Sequence, residues 1–349
     1  MKKIAFFDAK PYDRESFDSV NGGRYDIRYF EPRLGYAVLP LADGCDAVCA
    51  FVNDEINADT VKGLTEKGIR LLLMRCAGYN NVDFKAAYDY GLTVTRVPAY
   101  SPHAVAEHAL ALLMTLNRKL HKAFIRTRDF NFSLTGLTGF DLYGKMAGVV
   151  GMGKIGRCFA EACRGLGMKV LAYDRFKNDD GVFDYVDLDF LLKESDVVSL
   201  HCPLTPETHH MFDKDTFGKM KKGVFIINTS RGGLIDSGDL LASLRSGQVG
   251  GAGLDVYEEE SDWFYEDRSM VTSQNDNLSL LLSMPNVLVT SHQGFLTKEA
   301  LRNIAVTTLD NADAFFGDAP LPNEICYRCL KGGAAVPDCQ RRIGGRCPR

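Results

Sequence analysis

The sequence has no long uncharged apolar run and no surplus of charge of one sign. None of its hydrophobic stretches approaches the ~18 residues that a membrane-spanning helix needs. Its 41 lysines and arginines face 45 aspartates and glutamates, so the net charge of −4 provides no general basic field for nucleic acid or anionic lipid. We find no internal repeat or low-complexity tract. These absences predict a soluble, compact protein whose main partner is neither a membrane nor a nucleic acid.

The first residues lack the features of a secretion signal. MKKIAFFD contains only four apolar residues before Asp8 ends the run, far fewer than the apolar core of a signal peptide. The ten cysteines are scattered, and several lie in apolar settings, as at Cys45 and Cys158. Together these observations predict a protein of the reducing cytoplasm.

What is present is the length and pattern of a two-domain α/β protein. The 349 residues suffice for about two domains at ~100–200 residues each, and 46% of them are hydrophobic. From the N-terminus short β-rich runs alternate with helical stretches, which favours a parallel sheet with helical crossovers. Pro98 and Pro102 interrupt this alternation, and a long amphipathic segment follows from about His103 to Asp129. We expect the chain to cross into a second domain there.

The second half repeats the alternation around a new first strand, KMAGVVG. Five or six apolar runs bounded by turn residues predict a doubly wound nucleotide-binding sheet. A helix at about Leu296–Phe316 is placed to return to the first unit. The predicted domains are therefore 1–100 with 297–326, which is discontinuous, and 101–296.

Residues 327–349 differ from the rest, since they contain glycine, proline and arginine but no periodic apolar face. We predict a disordered tail. Its cysteines include one CxxC pair, Cys326 and Cys329, but Cys339 and Cys347 do not form a second close pair, so the spacing does not favour zinc.

A glycine motif opens the second sheet. Gly151, Gly153 and Gly156 form GxGxxG directly after an apolar strand and before a helical pattern, which suits a pyrophosphate at the helix N-terminus. Eighteen residues later Asp174 ends the next strand, where a carboxylate accepts the ribose hydroxyls and repels a 2′-phosphate. The pair predicts NAD rather than NADP, although Arg175 is a residue type that in another setting holds a 2′-phosphate.

Three further strand ends carry charged or titrating groups. Arg231 follows GVFIINTS, Asp255 and three glutamates (258–260) follow GGAGL, and His292 follows NVLVT. Singly, an arginine is more often part of a structural ion pair and a histidine more often packed in a core. On one sheet edge they supply a cation for a carboxylate, a titrating imidazole and a carboxylate to orient it. These groups suit reduction of a 2-oxo acid by a hydride donor.

The chain resembles the D-2-hydroxyacid dehydrogenase family, and within it the fermentative D-lactate dehydrogenases of bacteria. The similarity extends to about Ile325. It is carried by RCAGYNNVD (75–83), VPAYSPHAVAEHALALLMTLNR (97–118), TGFDLYGKMAGVVGMGKIG (138–156), SLHCPLTPETHHM (199–211), NTSRGGLID (228–236), LDVYEEE (254–260) and SHQGFLTKEAL (291–301).

The resemblance implies two doubly wound parallel-sheet domains, a Rossmann-type NAD domain and a discontinuous flavodoxin-like substrate domain. It places the substrate arginine on Arg231, the acid/base histidine on His292 and its partner on Glu260. Spacing alone leaves Glu258 and Glu259 open, but the following SDWFYEDRS segment supports Glu260. It also implies substrate contacts from Phe51, Ala77, Gly78 and Tyr100, no metal, and cofactor contacts from Gly151, Gly153, Lys154, Ile155, Gly156, Asp174, Cys202, Pro203, Thr229 and Asp255.

The resulting hypothesis is a reversible, NADH-dependent reduction of pyruvate to D-lactate. Two alternatives remain open: the same chemistry on a larger 2-oxo acid, such as phenylpyruvate or a branched one, and an NADH-sensing protein that binds partners without turnover. Apolar residues on one side of the 103–129 segment, including Ala106, Leu110, Leu113 and Met114, exceed what packing of one domain obviously requires. With the resemblance they predict a homodimer or a dimer of dimers.

Overall fold

The structure, a computed structural model, describes residues 1–177, 181–260, 263–271 and 275–331. The chain divides into two compact units. One comprises Met1–Ser101 and the chain from Thr297 onward, and the other comprises Pro102–Leu296.

Strands and helices alternate along the described chain. The strands are β1 (Lys2–Phe6), β2 (Tyr25–Tyr29), β3 (Ala47–Ala50), β4 (Leu71–Met74), β5 (Thr93–Thr95), β6 (Met146–Val150), β7 (Lys169–Tyr173), β8 (Asp184–Tyr185), β9 (Val197–Leu200), β10 (Val224–Asn228), β11 (Val249–Leu254) and β12 (Val287–Val289). The helices are α1 (Pro11–Asn21), α2 (Ala58–Glu66), α3 (Phe84–Asp89), α4 (Pro102–Arg118), α5 (Leu120–Arg128), α6 (Lys154–Gly165), α7 (Leu188–Glu194), α8 (Lys214–Lys219), α9 (Ser237–Ser246), α10 (Asp276–Ser283), α11 (Lys298–Phe316) and α12 (Tyr327–Lys331). Short 3₁₀ segments occupy Tyr36–Ala42 and Gly232–Leu234.

Each unit is built on one parallel sheet. The first has the strand order β2-β1-β3-β4-β5, and the second has the order β12-β11-β10-β9-β6-β7-β8. Every strand pair in both sheets is parallel. These are the flavodoxin-like and Rossmann-type orders, in which the chain starts mid-sheet, runs to one edge and returns beside its first strand. The predicted fold class is confirmed.

The strands are apolar because helices cover both faces of each sheet. In the second unit successive residues of one strand enter different cores: Val149 lies in one cluster and Val150 in the other, as do Val197 and Val198. Many helices begin at a residue whose side chain accepts a backbone N–H, which satisfies one donor of the first turn. These N-caps are Asn57, Asp83, Asp187, Asp213, Asp236, Asn275 and Thr297.

The amphipathic segment predicted from His103 to Asp129 is two helices rather than one. Helix α4 ends at Arg118, and Lys119 adopts a left-handed conformation with φ 51° before α5 begins. Asn117 fixes the break, since its side chain donates to the Phe140 carbonyl and accepts from the Phe140 amide at 2.8 and 2.9 Å. This contact joins residues 23 positions apart, so local periodicity carried no sign of it.

The apolar side of α4 packs against the core of its own unit. Ala106 and Leu113 are buried in the core of the second unit, and Leu110 and Met114 pack against that core. The excess of apolar residues noted in the sequence therefore has an internal use. The large apolar side chains that remain exposed in this region lie on α5 and after it: Leu120, Phe124, Ile125, Phe130, Phe132 and Leu134.

The expectation of disorder from residue 327 was wrong for its first residues, because Tyr327–Lys331 form α12. The Tyr327 ring lies 6.1 Å from that of Tyr88 on α3, and Arg328 donates to the Tyr88 hydroxyl. A helix this short has no periodic face to detect and depends on these tertiary contacts. The rest of the predicted tail, with Cys339 and Cys347, lies outside the described residues. Across the described parts of the chain, no helix has both the length and the apolar character needed to cross a bilayer.

Candidate active site

The predicted cofactor and catalytic residues of the second unit all follow the carboxyl ends of its strands. Gly151 follows β6, Cys202 follows β9, Arg231 follows β10, and His292 follows β12. Because the strands are parallel, these ends share one edge of the sheet, and the order reverses between β6 and β9. Ligands of open α/β sheets bind at such a reversal.

The glycine loop has the shape that a dinucleotide requires. Gly151 has φ +96°, and a Cβ there would lie 2.5 Å from the Cys202 amide nitrogen. A Cβ on Gly156 would lie 1.9 Å from the Gly151 carbonyl oxygen, so only glycine lets α6 start this close to β6. A Cβ on Gly153, the N-cap of α6, would meet nothing within 4 Å. This open space before uncapped amides fits a pyrophosphate group.

Asp174 is tied to the same loop. One carboxylate oxygen accepts the Met152 amide at 2.6 Å, and the other accepts the Phe176 amide at 2.8 Å. These bonds hold the half-buried carboxylate beside the glycine turn, where the ribose of a dinucleotide is expected. Arg175 is exposed, and its guanidinium lies 5.9 Å from the Phe176 ring. The residues present fit NAD.

Other predicted cofactor contacts form the neighbouring turns. The Cys202 carbonyl accepts the Ser230 hydroxyl at 2.6 Å, which joins the turns after β9 and β10, and the Pro203 carbonyl accepts Thr208 at 2.7 Å. The Thr229 hydroxyl is buried and has no hydrogen-bond partner in the described chain. An unpartnered buried hydroxyl is costly, so Thr229 is a polar group available to a ligand.

His292 and Glu260 form a direct pair. The imidazole Nδ1 lies 2.7 Å from Glu260 Oε1, and each side chain is 18% exposed. The second carboxylate oxygen accepts the Tyr257 amide at 2.9 Å, which fixes the carboxylate plane. The other ring nitrogen of His292, Nε2, has no hydrogen-bond partner among the described residues. One nitrogen is therefore oriented by a carboxylate while the other is free to exchange a proton.

The other two glutamates of the run turn elsewhere. Glu258 pairs with His210 Nε2 and accepts the Ser237 hydroxyl at 3.0 Å. Glu259 accepts a hydrogen bond from the Asn275 side chain. Spacing left three equal candidates for the partner of His292, and in the structure Glu260 occupies that position.

His292 sits in a strained conformation that Asp255 supports. Its φ of 53° is uncommon for a residue with a side chain. The His292 amide donates to the Asp255 carbonyl at 2.7 Å, and the amides of Gln293 and Gly294 donate to the Asp255 carboxylate at 2.9 and 2.8 Å. Strain of this kind, on the order of 1–3 kcal/mol, persists only where the surroundings over-determine the backbone.

Two further side chains, which no sequence motif indicated, contact the Asp255 carboxylate. Thr290 donates to it at 2.6 Å, and His108 Nε2 lies 3.1 Å away. Burial acts to raise the pKa of Asp255, but the hydrogen bonds from His108 and Thr290 outweigh it and hold that pKa below its usual range. Asp255 is thus an ionised anchor for the loop of His292. Its predicted contact with the cofactor stays a prediction.

Arg231 ends a turn that packs against the glutamate turn. The Asn228 side chain donates to the Arg231 carbonyl at 2.9 Å and accepts the Ser230 amide at 3.0 Å. A Cβ on Gly232 would lie 2.0 Å from the Tyr257 carbonyl carbon, so the two turns are in backbone contact. With the described residues the half-buried guanidinium makes one hydrogen bond, to the Ser230 carbonyl at 2.7 Å, which leaves donors available for a carboxylate.

The predicted substrate residues of the first unit follow β3, β4 and β5, which are neighbours in its sheet. Phe51 is buried, and its carbonyl accepts the Asn81 side chain at 2.9 Å. The Ala77 carbonyl accepts Arg96 at 2.9 Å, and the Gly78 carbonyl accepts the Cys76 thiol at 3.2 Å. The Tyr100 carbonyl accepts Asn303 at 2.7 Å. These bonds order the loops, while their substrate contacts stay predictions.

Comparison with known proteins agrees with this geometry. Residues 110–294 match the family model of the D-isomer specific 2-hydroxyacid dehydrogenase NAD binding domain. The chain belongs to the D-2-hydroxyacid dehydrogenase family. It is 47% identical to the D-lactate dehydrogenase of Escherichia coli over 327 residues, which are 93% of this chain and 99% of that protein.

Solved structures give the same answer for the fold. The apo-structure of D-lactate dehydrogenase from Escherichia coli matches with a TM-score of 0.86 at 45% identity, covering 93% of this chain and 99% of that one. The pyruvate reductase of Chlamydomonas reinhardtii matches with a TM-score of 0.88 at 43% identity, covering 92% and 98%. The protein is therefore an NAD-dependent oxidoreductase of this family, as the sequence motifs predicted.

Proposed function

We propose that the protein reduces pyruvate to D-lactate with NADH and catalyses the reverse reaction. The observation that carries the proposal is the His292–Glu260 pair, in which Nδ1 lies 2.7 Å from the carboxylate and Nε2 has no partner in the described part of the chain. An acid/base group for a 2-oxo acid needs one nitrogen free and the other held by an anion that favours the protonated form. The names of the relatives compared above, a D-lactate dehydrogenase and a pyruvate reductase, favour pyruvate.

In the proposed mechanism Arg231 binds the substrate carboxylate through two parallel N–H bonds and so sets which face of the carbonyl is presented. Protonated His292 gives its Nε2 proton to the carbonyl oxygen, and Glu260 stabilises the imidazolium. The glycine loop and Asp174 hold the dinucleotide, and bound NADH supplies the hydride. In the reverse direction neutral His292 takes the hydroxyl proton.

The first test is the rate of NADH oxidation by purified protein with pyruvate, phenylpyruvate and 2-oxoisocaproate, followed by chiral analysis of the product. We expect the highest kcat/KM with pyruvate, and D-lactate as the product. A preference for the aromatic or branched acid would keep the chemistry and reject pyruvate as the substrate. NADH binding without turnover on any of the three would reject the enzymatic role and favour a sensor.

We also propose that the protein acts in the reducing cytoplasm as a homodimer, or as a dimer of dimers, through α5 and the loop after it. No residue of α5 is buried, and its Phe124 and Ile125 side chains are 61% and 60% exposed. Phe130 in the loop is 86% exposed. Exposed apolar side chains gathered in one segment favour an association site, and a second copy supplies a matching face by two-fold symmetry.

Sedimentation tests the dimer. The wild type is expected to sediment as a dimer or tetramer and Phe124→Asp as a smaller species. A substitution at an exposed polar position on the same helix, Thr127→Ala, serves as the control. A monomeric wild type would reject this part of the proposal.

A further inference from the structure

A cluster of potential metal ligands lies outside the proposed catalytic set. It consists of His209, His210 and Glu258, whose ligand atoms all lie within 4.8 Å of one another. His209 and Glu258 are exposed, while His210 is half-buried. No sequence motif connects them, because Glu258 is 48 positions from His210.

The two histidines are held in place by backbone contacts. The His209 amide donates to the Thr205 carbonyl at 2.9 Å, and the His210 amide donates to the Gly233 carbonyl at 2.8 Å. His210 has φ 51°, and this turn brings the two rings into a stack with centroids 3.9 Å apart. Neighbouring histidines usually point apart in extended chain, so the left-handed turn places both imidazoles on one side.

Groups behind the cluster orient its ligand atoms. Asp236 Oδ2 lies 3.5 Å from His210 Nδ1, on the side of the ring away from Glu258. The Ser237 hydroxyl donates to Glu258 Oε2 at 3.0 Å, which leaves Oε1 facing the histidine. A carboxylate behind a histidine and a hydrogen bond behind a carboxylate are the outer partners that orient ligands in metal sites.

We propose that His209, His210 and Glu258 bind a divalent transition-metal ion, with Zn²⁺ as the best fit. Two imidazoles and one carboxylate are a common zinc ligand set, and the exposed side of the cluster leaves the fourth position to water. The ion would replace the hydrogen that now joins His210 to Glu258. It would thereby link the turn after β9 to the glutamate turn after β11.

The site is distinct from the proposed catalytic pair. Glu258 is two residues from Glu260, but its carboxylate faces His210, whereas that of Glu260 faces His292. Metal binding and turnover are therefore separable by substitution. The alternative is a purely structural role, in which His210 and Glu258 form a hydrogen-bonded pair that stabilises the turn.

Equilibrium dialysis of the full-length protein with Zn²⁺ alone, read out by metal analysis, tests the proposal. We expect one ion per chain with a Kd below about 0.1 mM. His209→Gln, at an exposed position that leaves the fold intact, is expected to weaken binding at least tenfold. Ser237→Ala, which only removes the bond behind Glu258, is expected to weaken it by about 10–100-fold.

Two matched controls separate this cluster from other histidines. His103 lies 4.0 Å from the Cys158 sulfur, so this pair is a competing place for zinc, and His103→Gln is expected to leave the Kd unchanged. His292→Gln is also expected to retain binding, since its imidazole belongs to the catalytic pair. Absence of saturable binding, wild-type affinity in His209→Gln, or loss of binding in either control variant would overturn the proposal.

Discussion

Each unit has an arginine that follows the carboxyl end of a strand, and the two arginines differ in what surrounds them. In the five-stranded unit Arg75 is 2% exposed and lies between the Phe6 and Phe51 rings, 4.5 and 4.7 Å from their centroids. Its Nη2 donates to the Asp8 carbonyl at 2.7 Å, and its Nε lies 3.4 Å from Asp13. In the seven-stranded unit Arg231 is half-buried, and its side chain makes a single hydrogen bond to the part of the chain that the structure describes, to the Ser230 carbonyl.

This difference distinguishes a charged side chain that stabilises the fold, Arg75, from one that is available to bind a ligand, Arg231. Removing a buried arginine leaves buried carboxylates without compensation, so Arg75 is held for structure. A half-buried guanidinium loses little hydration free energy on folding. When a carboxylate binds, its spare N–H donors form charge-assisted hydrogen bonds. The same contrast holds for the carboxylates, since Asp54 is fully buried and Glu260 is partly open beside His292.

Replacing the partly exposed imidazole of His292 should lower the catalytic rate and leave the fold intact. His292→Asn is expected to lower kcat by about 10²–10⁴-fold, the usual loss when a general acid/base group is removed. The thermal midpoint should stay close to that of the wild type, because the ring is partly exposed and, within the described ranges, hydrogen-bonds to Glu260 alone. Steady-state kinetics and calorimetry measure the two quantities. Wild-type turnover would remove His292 from the mechanism.

The adjacent glutamates supply the control. Glu260→Gln is expected to lower kcat by about 10–100-fold through loss of a charge-assisted bond. Glu259→Gln, one position away but bonded to Asn275, should leave kcat unchanged. Equal effects from the two variants would contradict the pairing.

Replacing the buried Arg75 should lower the stability of the fold rather than act directly on catalysis. Arg75→Met is expected to destabilise the first unit by about 3–5 kcal/mol, since it strands the neighbouring carboxylates. Hydrogen exchange should report lost protection in β1–β5 and unchanged protection in β6–β12. Arg28→Met, which breaks a surface pair with Asp26, is the control, with an expected change of about 0–1 kcal/mol. Equal losses in the two variants would place Arg75 outside the core.

Arg231→Lys keeps the charge and loses the two-pronged geometry. We expect KM for pyruvate to rise by about 10–100-fold, corresponding to one charge-assisted hydrogen bond. The affinity for NADH, measured by fluorescence titration, should not change. An unchanged KM would mean that the substrate carboxylate binds elsewhere.

The smallest expected effect is a pH dependence of the free energy of unfolding that arises from Asp54. Burial raises its pKa to about 6, against the opposing attraction of Arg75 and the hydrogen bonds from the Phe51 and Leu34 amides. The folded protein thus holds this proton more tightly than the unfolded chain, whose pKa is about 3.9. The associated stability is fully present below pH ~4 and is lost as the pH rises through ~6.

Comparing wild type with Asp54→Asn isolates this contribution. The advantage of the wild type in free energy of unfolding should be about 1 kcal/mol larger at pH 5 than at pH 7.5. Urea denaturation at the two pH values measures it. An advantage that is constant or grows with pH would contradict the raised pKa.

Much of the site could be read from the sequence because its residues sit at strand ends. An apolar run followed by Gly151, Asp174, Arg231 or His292 has a local signature, and parallel topology then brings the strand ends to one edge. Relations across loops could not be read this way. The pairing of His108 with Asp255 spans 147 positions and follows no motif spacing. The break at Lys119 and the helix at Tyr327 likewise depend on contacts with distant residues.

By itself the sequence determined the alternation of strands and helices, the glycine turn and the identities of the reactive groups. These follow from short-range chemistry: side-chain period, turn residues and the lack of a Cβ. Only the tertiary structure decided that Glu258 joins His210, and only it separated the three consecutive glutamates that spacing leaves equivalent. Adjacent carboxylates are equivalent along the chain. They become different only when the folded backbone turns each toward its own partner.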